Sequence, residues 1–265
     1  MKIGFIGCGN MAQAMIGGMI NKVFCKPEDI IASARTERTL EEAASTYGIR
    51  TTLDNCEVAQ QADVLILAVK PVFYEDVIGQ IKNEVNKEAV IISIAPGKTI
   101  RWLADQFGSS EYKLVRTMPN TPALVGEGIT GYTLSDSMHE EEQKLVCDVL
   151  ECFGMAQQVP EHLMDVVVSV SGSSPAYVFM FIEAMADAAV ADGMPRKQAY
   201  EFAAQAVLGS AKMVLETGKH PGELKDMVCS PGGTTIEAVR VLEEKGFRSS
   251  VIEAMKACTK KARDC

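Results

Sequence analysis

Histidine is scarce in this 265-residue chain, with three, at positions 139, 162 and 220. The eight cysteines, at 8, 25, 56, 147, 152, 229, 258 and 265, are scattered, and no Cys-x-x-Cys occurs. Neither set has the spacing of metal ligands, so no metal is expected. Scattered thiols suit a reducing cytoplasm. Met1 leads straight into an apolar stretch rather than a charged leader, which agrees with a cytoplasmic location. Positive charge is short as well: 26 Lys and Arg stand against 35 Asp and Glu, a net charge of −9. That balance argues against nucleic acid or an anionic membrane surface as partner. The longest uncharged run, residues 166–182, is interrupted by Ser171-Gly-Ser-Ser-Pro175, so no membrane span is expected. An anion site in such a chain has to be built locally, from helix ends and a few cations.

What is present is an alternation of strand and helix signals. Strands are expected at 2–6, 30–35, 64–69, 90–94, 114–118, 129–133 and 157–159. Helices are expected at 11–21, 36–47, 73–84, 99–107 and 140–152. Runs such as Val64-Leu-Ile-Leu-Ala-Val69 are apolar at every position, as strands buried on both faces of a parallel sheet must be. After residue 160 the pattern is helical only, at 161–171, 175–192, 195–217, 221–229, 234–245 and 247–262. The expected fold is α/β: a doubly wound, mostly parallel Rossmann sheet over 1–160, followed by an all-helical domain over 161–265.

The first strand feeds Gly7-x-Gly9-x-x-Ala12, with Asn10 and Met11 inside the motif, and then a helical run from Met11 to Ile20. Strand, glycine turn and helix form the context a dinucleotide fingerprint requires. One glycine makes the turn, the next lets a pyrophosphate approach the backbone, and a small third residue lets helix and strand pack closely. An NAD-specific fold ends its second strand in Asp or Glu, which grips the ribose 2′-hydroxyl. Here that strand runs into Ser33-Ala34-Arg35-Thr36. A guanidinium with hydroxyls beside it suits a 2′-phosphate, so NADP(H) is expected to be preferred, with NAD(H) possible.

A second constellation lies near the other end. Ser230-Pro-Gly-Gly-Thr-Thr235 is a turn that runs directly into an amphipathic helix with Ile236, Val239, Val241 and Leu242. Glycines let a ligand approach the backbone, and the unpaired N–H groups of a helix start attract a carboxylate. Ser230 and Thr235 add hydroxyls at the same place.

Five segments occur in order: Gly7-x-Gly9-x-x-Ala12, Ala68-Val-Lys-Pro71, Met118-Pro-Asn-Thr-Pro122, Ser171-Gly-Ser-Ser-Pro-Ala-Tyr177 and Ser230-Pro-Gly-Gly-Thr-Thr235. Together they resemble the pyrroline-5-carboxylate reductase family along essentially the whole chain. The resemblance implies NAD(P)H-dependent reduction of a cyclic imine to L-proline, the last step of proline biosynthesis. It further implies a helical domain that dimerises by intertwining, with the active site near the interface. By position, Ser230, Gly232, Gly233, Thr234 and Thr235, with Ser171, match the substrate side, and Thr235 is the candidate catalytic group. Gly7, Gly9, Asn10, Met11, Ala12, Ser33, Arg35, Thr36, Asn55, Val69, Lys70, Pro71, Ala95 and Asn120 match the cofactor side. The chain departs from the family's usual pattern at Ser174, often Gly, and at Thr234, often Ala.

Two other readings stay open. Hydroxyacid dehydrogenases combine the same two kinds of domain but use a lysine at a helix start in the second. No lysine lies between Lys144 and Lys197, and no histidine between His162 and His220. A non-catalytic NADP-binding regulator would share the cofactor motif but has no need of the 230–235 turn.

The helix expected over 175–192 is interrupted only by Glu183 and Asp187 before its last residue. A helix apolar nearly all round must be covered on all sides, and about a hundred residues cannot do that alone. A homodimer or higher homo-oligomer is therefore expected. Replacing Phe179 or Ile182 by Asp places a charge in that interface and should abolish assembly. Light scattering at micromolar concentration checks this, and a folded, active monomer of the unchanged chain refutes it.

Overall fold

The structure, a computed structural model, describes residues 1–263. The chain divides into two compact units, Met1–Ser173 together with the tail from Cys258, and Ser174–Ala257.

The first unit is built on one sheet of eight strands, in the order β3-β2-β1-β4-β5-β6-β7-β8. They are β1 (Ile3–Ile6), β2 (Ile30–Ser33), β3 (Arg50–Thr52), β4 (Val64–Leu67), β5 (Val90–Ser93), β6 (Lys113–Met118), β7 (Gly128–Leu134) and β8 (Gly154–Gln158). All neighbours are parallel except β6 and β7. Ile3 lies level with Ile30 on one side and Val64 on the other, which lines up the ends of the three central strands. Every residue of β1, β2, β4 and β5 is buried, including the serines that end β2 and β5, as strands covered on both faces require.

Helices α1 (Asn10–Asn21), α2 (Glu37–Tyr47), α3 (Asn55–Gln61), α4 (Tyr74–Ile81), α5 (Ile100–Phe107) and α6 (Glu140–Leu150) cover the sheet. One core joins Met15, Ile16 and Met19 of α1 to Phe5, Ile66 and Phe153. A second joins Tyr74, Ile78 and Ile81 of α4 to Leu65, Ile91 and Leu103. Two elements are absent from the sequence-based expectation, β3 and α3. The first is three polar residues long, and the second buries only Val58 and Ala59, so neither carries a periodic apolar signal.

The helical stretch expected at 161–171 is a composite. A 3₁₀ turn, Glu161–Leu163, passes into α7 (Met164–Val167) and then a π-helical segment, Val168–Gly172. This stretch is fastened to the sheet, which is why the first unit extends beyond residue 160. The buried Arg116 of β6 reaches Glu161 at 3.5 Å and Asp165 at 3.2 Å. Glu161 also accepts from the Ile100 N–H at the start of α5, at 2.7 Å. Glycine at 131 and 172 lets the stretch come close, since a Cβ at either would lie within 2.8 Å of Val167 or Met118. The chain end joins the same stretch: the Thr259 and Ser169 hydroxyls are 2.8 Å apart, and the Cys258 thiol donates to Ser173 Oγ at 3.3 Å.

The second unit is helical throughout: α8 (Ser174–Ala191), α9 (Arg196–Thr217), α10 (Pro221–Val228), α11 (Thr234–Glu244) and most of α12 (Phe247–Arg263). Within this unit α8 packs on α9, and the rings of Phe181 and Phe247 lie 6.1 Å apart. Ala186 is the one buried residue of α8, while Phe179 is 62% and Met180 68% exposed. Leu208 and Leu215 of α9 and Val228 of α10 are exposed as well. The Ser-Gly-Ser-Ser-Pro sequence interrupts the helical path only locally, by the π-helical segment and a bend at Ser173. Glu161–Ala191 is accordingly long and apolar enough to cross a membrane by length and composition.

Candidate active site

The carboxyl ends of β1, β2 and β4 open into a cavity of about 410 Å³. Gly7 follows β1 with φ of +97°, and a Cβ there would lie 2.6 Å from the Ala68 carbonyl oxygen behind β4, so only glycine fits. Gly9 caps α1 without a side-chain hydrogen bond, and a Cβ added to it would meet nothing within 4 Å. Backbone N–H groups at the start of a twelve-residue helix therefore face open space, as a pyrophosphate would need. The residues present fit the phosphate backbone of a dinucleotide.

Of the residues expected at the cofactor, Gly7, Gly9, Arg35, Thr36, Asn55, Val69 and Lys70 line this cavity. Arg35 lies over the ring of Phe73, with its guanidinium carbon 4.8 Å from the centroid. Arg38 is engaged by Glu42 at 2.9 Å, whereas Arg35 has no carboxylate partner among the described residues. Thr36 caps α2, accepting from the Thr39 N–H at 3.4 Å.

The others stand elsewhere. Ser33 is fully buried beneath the cavity floor, where its Oγ donates to Asn55 Oδ1 at 2.7 Å and approaches the Phe5 carbonyl at 3.5 Å. It supports Asn55 instead of lining the space, because strand alternation turns its side chain inward. Ala12 is buried in the α1–sheet contact, and Asn10 and Met11 belong to the first turn of α1 without lining the cavity. Pro71 opens the 3₁₀ turn Pro71–Phe73 behind Lys70. Ala95 and Asn120 follow β5 and β6, farther along the same edge of the sheet. Both are buried, and both ends of the Asn120 amide are engaged: it donates to the Ser171 carbonyl at 3.1 Å and accepts from the Ile129 N–H at 2.9 Å. Ser171, expected at the substrate, turns its hydroxyl back to the Val167 carbonyl at 3.1 Å. Asn120 thereby holds the loop after β6 against the π-helical segment, while the Ser171 hydroxyl bonds within that helical stretch.

Sequence reasoning missed Cys8, Ala34, Thr39, Leu53, Phe73, Asp76, Val77 and Gln80, all of which line the cavity. Cys8 and Ala34 sit inside motifs already singled out, whereas Asp76 and Gln80 lie on a helix already expected over 73–84, where four-residue spacing puts them on one face without marking it as a cavity wall.

In the second unit, Ser230 to Gly233 form a turn closed by the Gly233 N–H donating to the Ser230 carbonyl at 3.0 Å. Gly232 has φ of +69°, and a Cβ at Gly233 would strike Ser230 Oγ at 2.4 Å. Gly233 then caps α11 without a side chain, so no hydroxyl consumes the first N–H groups of the helix. Thr234 and Thr235 occupy its first two positions. The turn keeps the geometry of an anion cradle with hydroxyls at its rim.

The model for the family described as "Pyrroline-5-carboxylate reductase dimerisation" matches residues 161–265. One described as "NADP oxidoreductase coenzyme F420-dependent" matches residues 2–97. The pyrroline-5-carboxylate reductase of Escherichia coli K12 is 54% identical over 261 residues, covering 98% of this chain and 97% of that one. This chain belongs to the pyrroline-5-carboxylate reductase family. Solved reductases of the family have the same fold. The Coxiella burnetii enzyme superposes with a TM-score of 0.90 at 34% identity, covering 99% of this chain and 97% of its own. The Plasmodium falciparum enzyme, solved with NADP bound, does so with 0.91 at 32%, with the same coverage. Prephenate dehydrogenase from A. aeolicus, at 13% identity and a TM-score of 0.55, shares the fold alone.

Burial pushes the Cys8 thiol from its ordinary value of 9.0 up to about 11. A neutral thiol beside the glycine turn spares a bound pyrophosphate a neighbouring negative charge. The same shift has a stability consequence. The fold holds the proton that the unfolded chain releases near pH 9, so this contribution is complete below pH 9 and is lost as pH rises through about 11. Denaturant unfolding of the wild type should weaken over that interval by up to roughly 2 kcal/mol more than that of Cys8→Ala. Equal slopes for the two proteins would remove the basis for this shift.

Proposed function

We infer that this chain reduces 1-pyrroline-5-carboxylate to L-proline with a reduced nicotinamide dinucleotide. The observation that carries the reading is the pairing, in one chain of this family, of a glycine-walled dinucleotide cavity with the uncapped helix start behind Ser230-Pro-Gly-Gly-Thr-Thr235. The cofactor supplies a hydride to the imine carbon. The rest falls to the protein: to hold the ring by its carboxylate, and to see that the nitrogen gains a proton as the C=N bond becomes C–N. Ser230 and the N–H groups of Gly232 and Thr234, on either side of the Gly233 N–H that closes the turn, bind the carboxylate, using the positive end of α11. The Thr235 hydroxyl donates to the nitrogen or orients its proton. A protonated imine is already a good electrophile, so the chemistry requires positioning more than a strong base.

NADP(H) is the preferred cofactor and NAD(H) a usable one. The support is the absence of a carboxylate at the end of β2, where Ser33 and Ala34 stand, and an Arg35 without an acidic partner among the described residues. Two or more copies assemble through the helical unit and cover the apolar surface of α8 and α9. A second copy covers it rather than lipid, since the family model named for dimerisation spans these helices. Neither nucleic acid nor membrane is a partner, and the enzyme works in the cytoplasm.

Replacing Arg35 by Ala should raise the Michaelis constant for NADPH about tenfold or more and that for NADH far less, since a charge-assisted bond to phosphate contributes about 1.5–3 kcal/mol. Equal shifts for both cofactors would show that Arg35 does not read the phosphate. The whole reading is tested by NADPH oxidation at 340 nm with and without 1-pyrroline-5-carboxylate. In the same assay Thr235→Ala should lower turnover roughly 10- to 1000-fold with NADPH affinity unchanged, while Thr235→Ser keeps much of the rate. Wild-type turnover in Thr235→Ala would mean that the proton arrives from water or with the substrate.

A further inference from the structure

We propose that Asp76 and Gln80 of α4 read the edge of the cofactor's adenine and make the cavity selective for a purine bearing a 6-amino group. The proposal rests on the cavity being the dinucleotide site, and extends that reading to the base.

The position of the base follows from the ribose. In this kind of fold the adenosine ribose is held at the end of the second strand, here at Ala34, Arg35 and Thr36. The attached base must then lie within one ring of Arg35, whose guanidinium rests on Phe73 just before α4. Leu53, Phe73 and Val77 supply apolar walls there. The polar groups beside them are Asp76 and Gln80, one helical turn apart and therefore on one face of α4.

A chain of hydrogen bonds fixes what Gln80 offers. Ser33 has one hydroxyl proton, and its shorter bond places it on Asn55 Oδ1, at 2.7 Å. Asn55 must then turn its amide nitrogen outward, where it donates to Gln80 Oε1 at 3.0 Å. With its carbonyl oxygen occupied, Gln80 presents its Nε2 N–H groups as donors. Asp76 presents a carboxylate, which can only accept, and has no cation partner among the described residues. An acceptor and a donor side by side complement adenine, whose N6 amino group donates next to a ring nitrogen that accepts. Hypoxanthine carries an oxygen at position 6, which would face the Asp76 carboxylate, and a hydrogen on N1, which would face the Gln80 donors. Ser33 and Asn55 thus act as positioning residues for base recognition.

The test is calorimetric titration of the full chain with NADPH and with its hypoxanthine analogue, reduced nicotinamide hypoxanthine dinucleotide phosphate. The wild type should bind NADPH roughly five- to tenfold more tightly, at the low end for paired hydrogen bonds because both groups face solvent. Asn at position 76 can either accept or donate, so Asp76→Asn should bring the two affinities within about twofold, chiefly by tightening the analogue. A melting curve establishes that the variant is folded, and Gln80→Ala provides a second variant, which should weaken NADPH more than the analogue. Equal wild-type affinities, or a ratio unchanged in Asp76→Asn, would overturn the proposal while leaving the dinucleotide site intact. Failure of both nucleotides to bind would sink the dinucleotide reading, and the proposal with it.

Discussion

The close approach of β1 and β4 at their carboxyl ends governs the rest of the first unit. Gly7 and Ala68 meet there with no space for a Cβ, and the chain escapes only because Gly7 takes a left-handed conformation. Further back along β1, a Cβ on Gly4 would fall 2.8 Å from Ala62 and Val58, so α3 also rests almost on the strand. These contacts set where α1 begins, and with it where unpaired N–H groups meet the cavity. They also bring the segments after β2 and β4 to one space, where Arg35 from the first lies over the ring of Phe73 from the second. A larger residue at position 7 would shift both segments together.

Much of this was legible in the sequence, for a definite reason. Strands β1, β2, β4 and β5 are buried on both faces, so they had to be written as largely apolar runs, broken only by the serines that end β2 and β5. The glycine turn was legible because close backbone contact excludes other residues. What escaped was whatever polarity hides. Arg50-Thr-Thr52 at the sheet edge and the Asn55–Gln61 helix carry too little apolar periodicity to stand out. Asp76 and Gln80 read as solvated helix residues, since spacing alone does not tell a cavity from bulk water. Ser33 shows a different limit. Its position in the chain identified the right neighbourhood, but one step of strand alternation separates a residue that touches a ligand from one that supports the next residue in line.

The helical unit reverses the usual relation between sequence and burial. α8 is the most apolar helix of the chain, yet Ala186 is its one buried residue. At roughly 25 cal/mol per Å² of apolar surface, rings such as Phe179 and Phe202 represent a driving force for association that one copy of the unit leaves unused. The family model that spans these residues is named for dimerisation.

The return of the chain end to the first unit bears on the order in which the protein can be made. A ribosome delivers all eight strands and the π-helical segment long before it delivers Cys258 and Thr259. Until then Ser169, whose hydroxyl already donates to the Val166 carbonyl at 2.9 Å, lacks its contact with Thr259, Ser173 lacks its contact with Cys258, and the entire second unit has to be synthesised in between. The sheet can form early, but the seam along residues 169–173 closes only once Cys258 and Thr259 are available to it. Completion of the nucleotide-binding unit is thereby tied to synthesis of the assembling one, so a truncated chain lacking the tail carries its first unit unsealed.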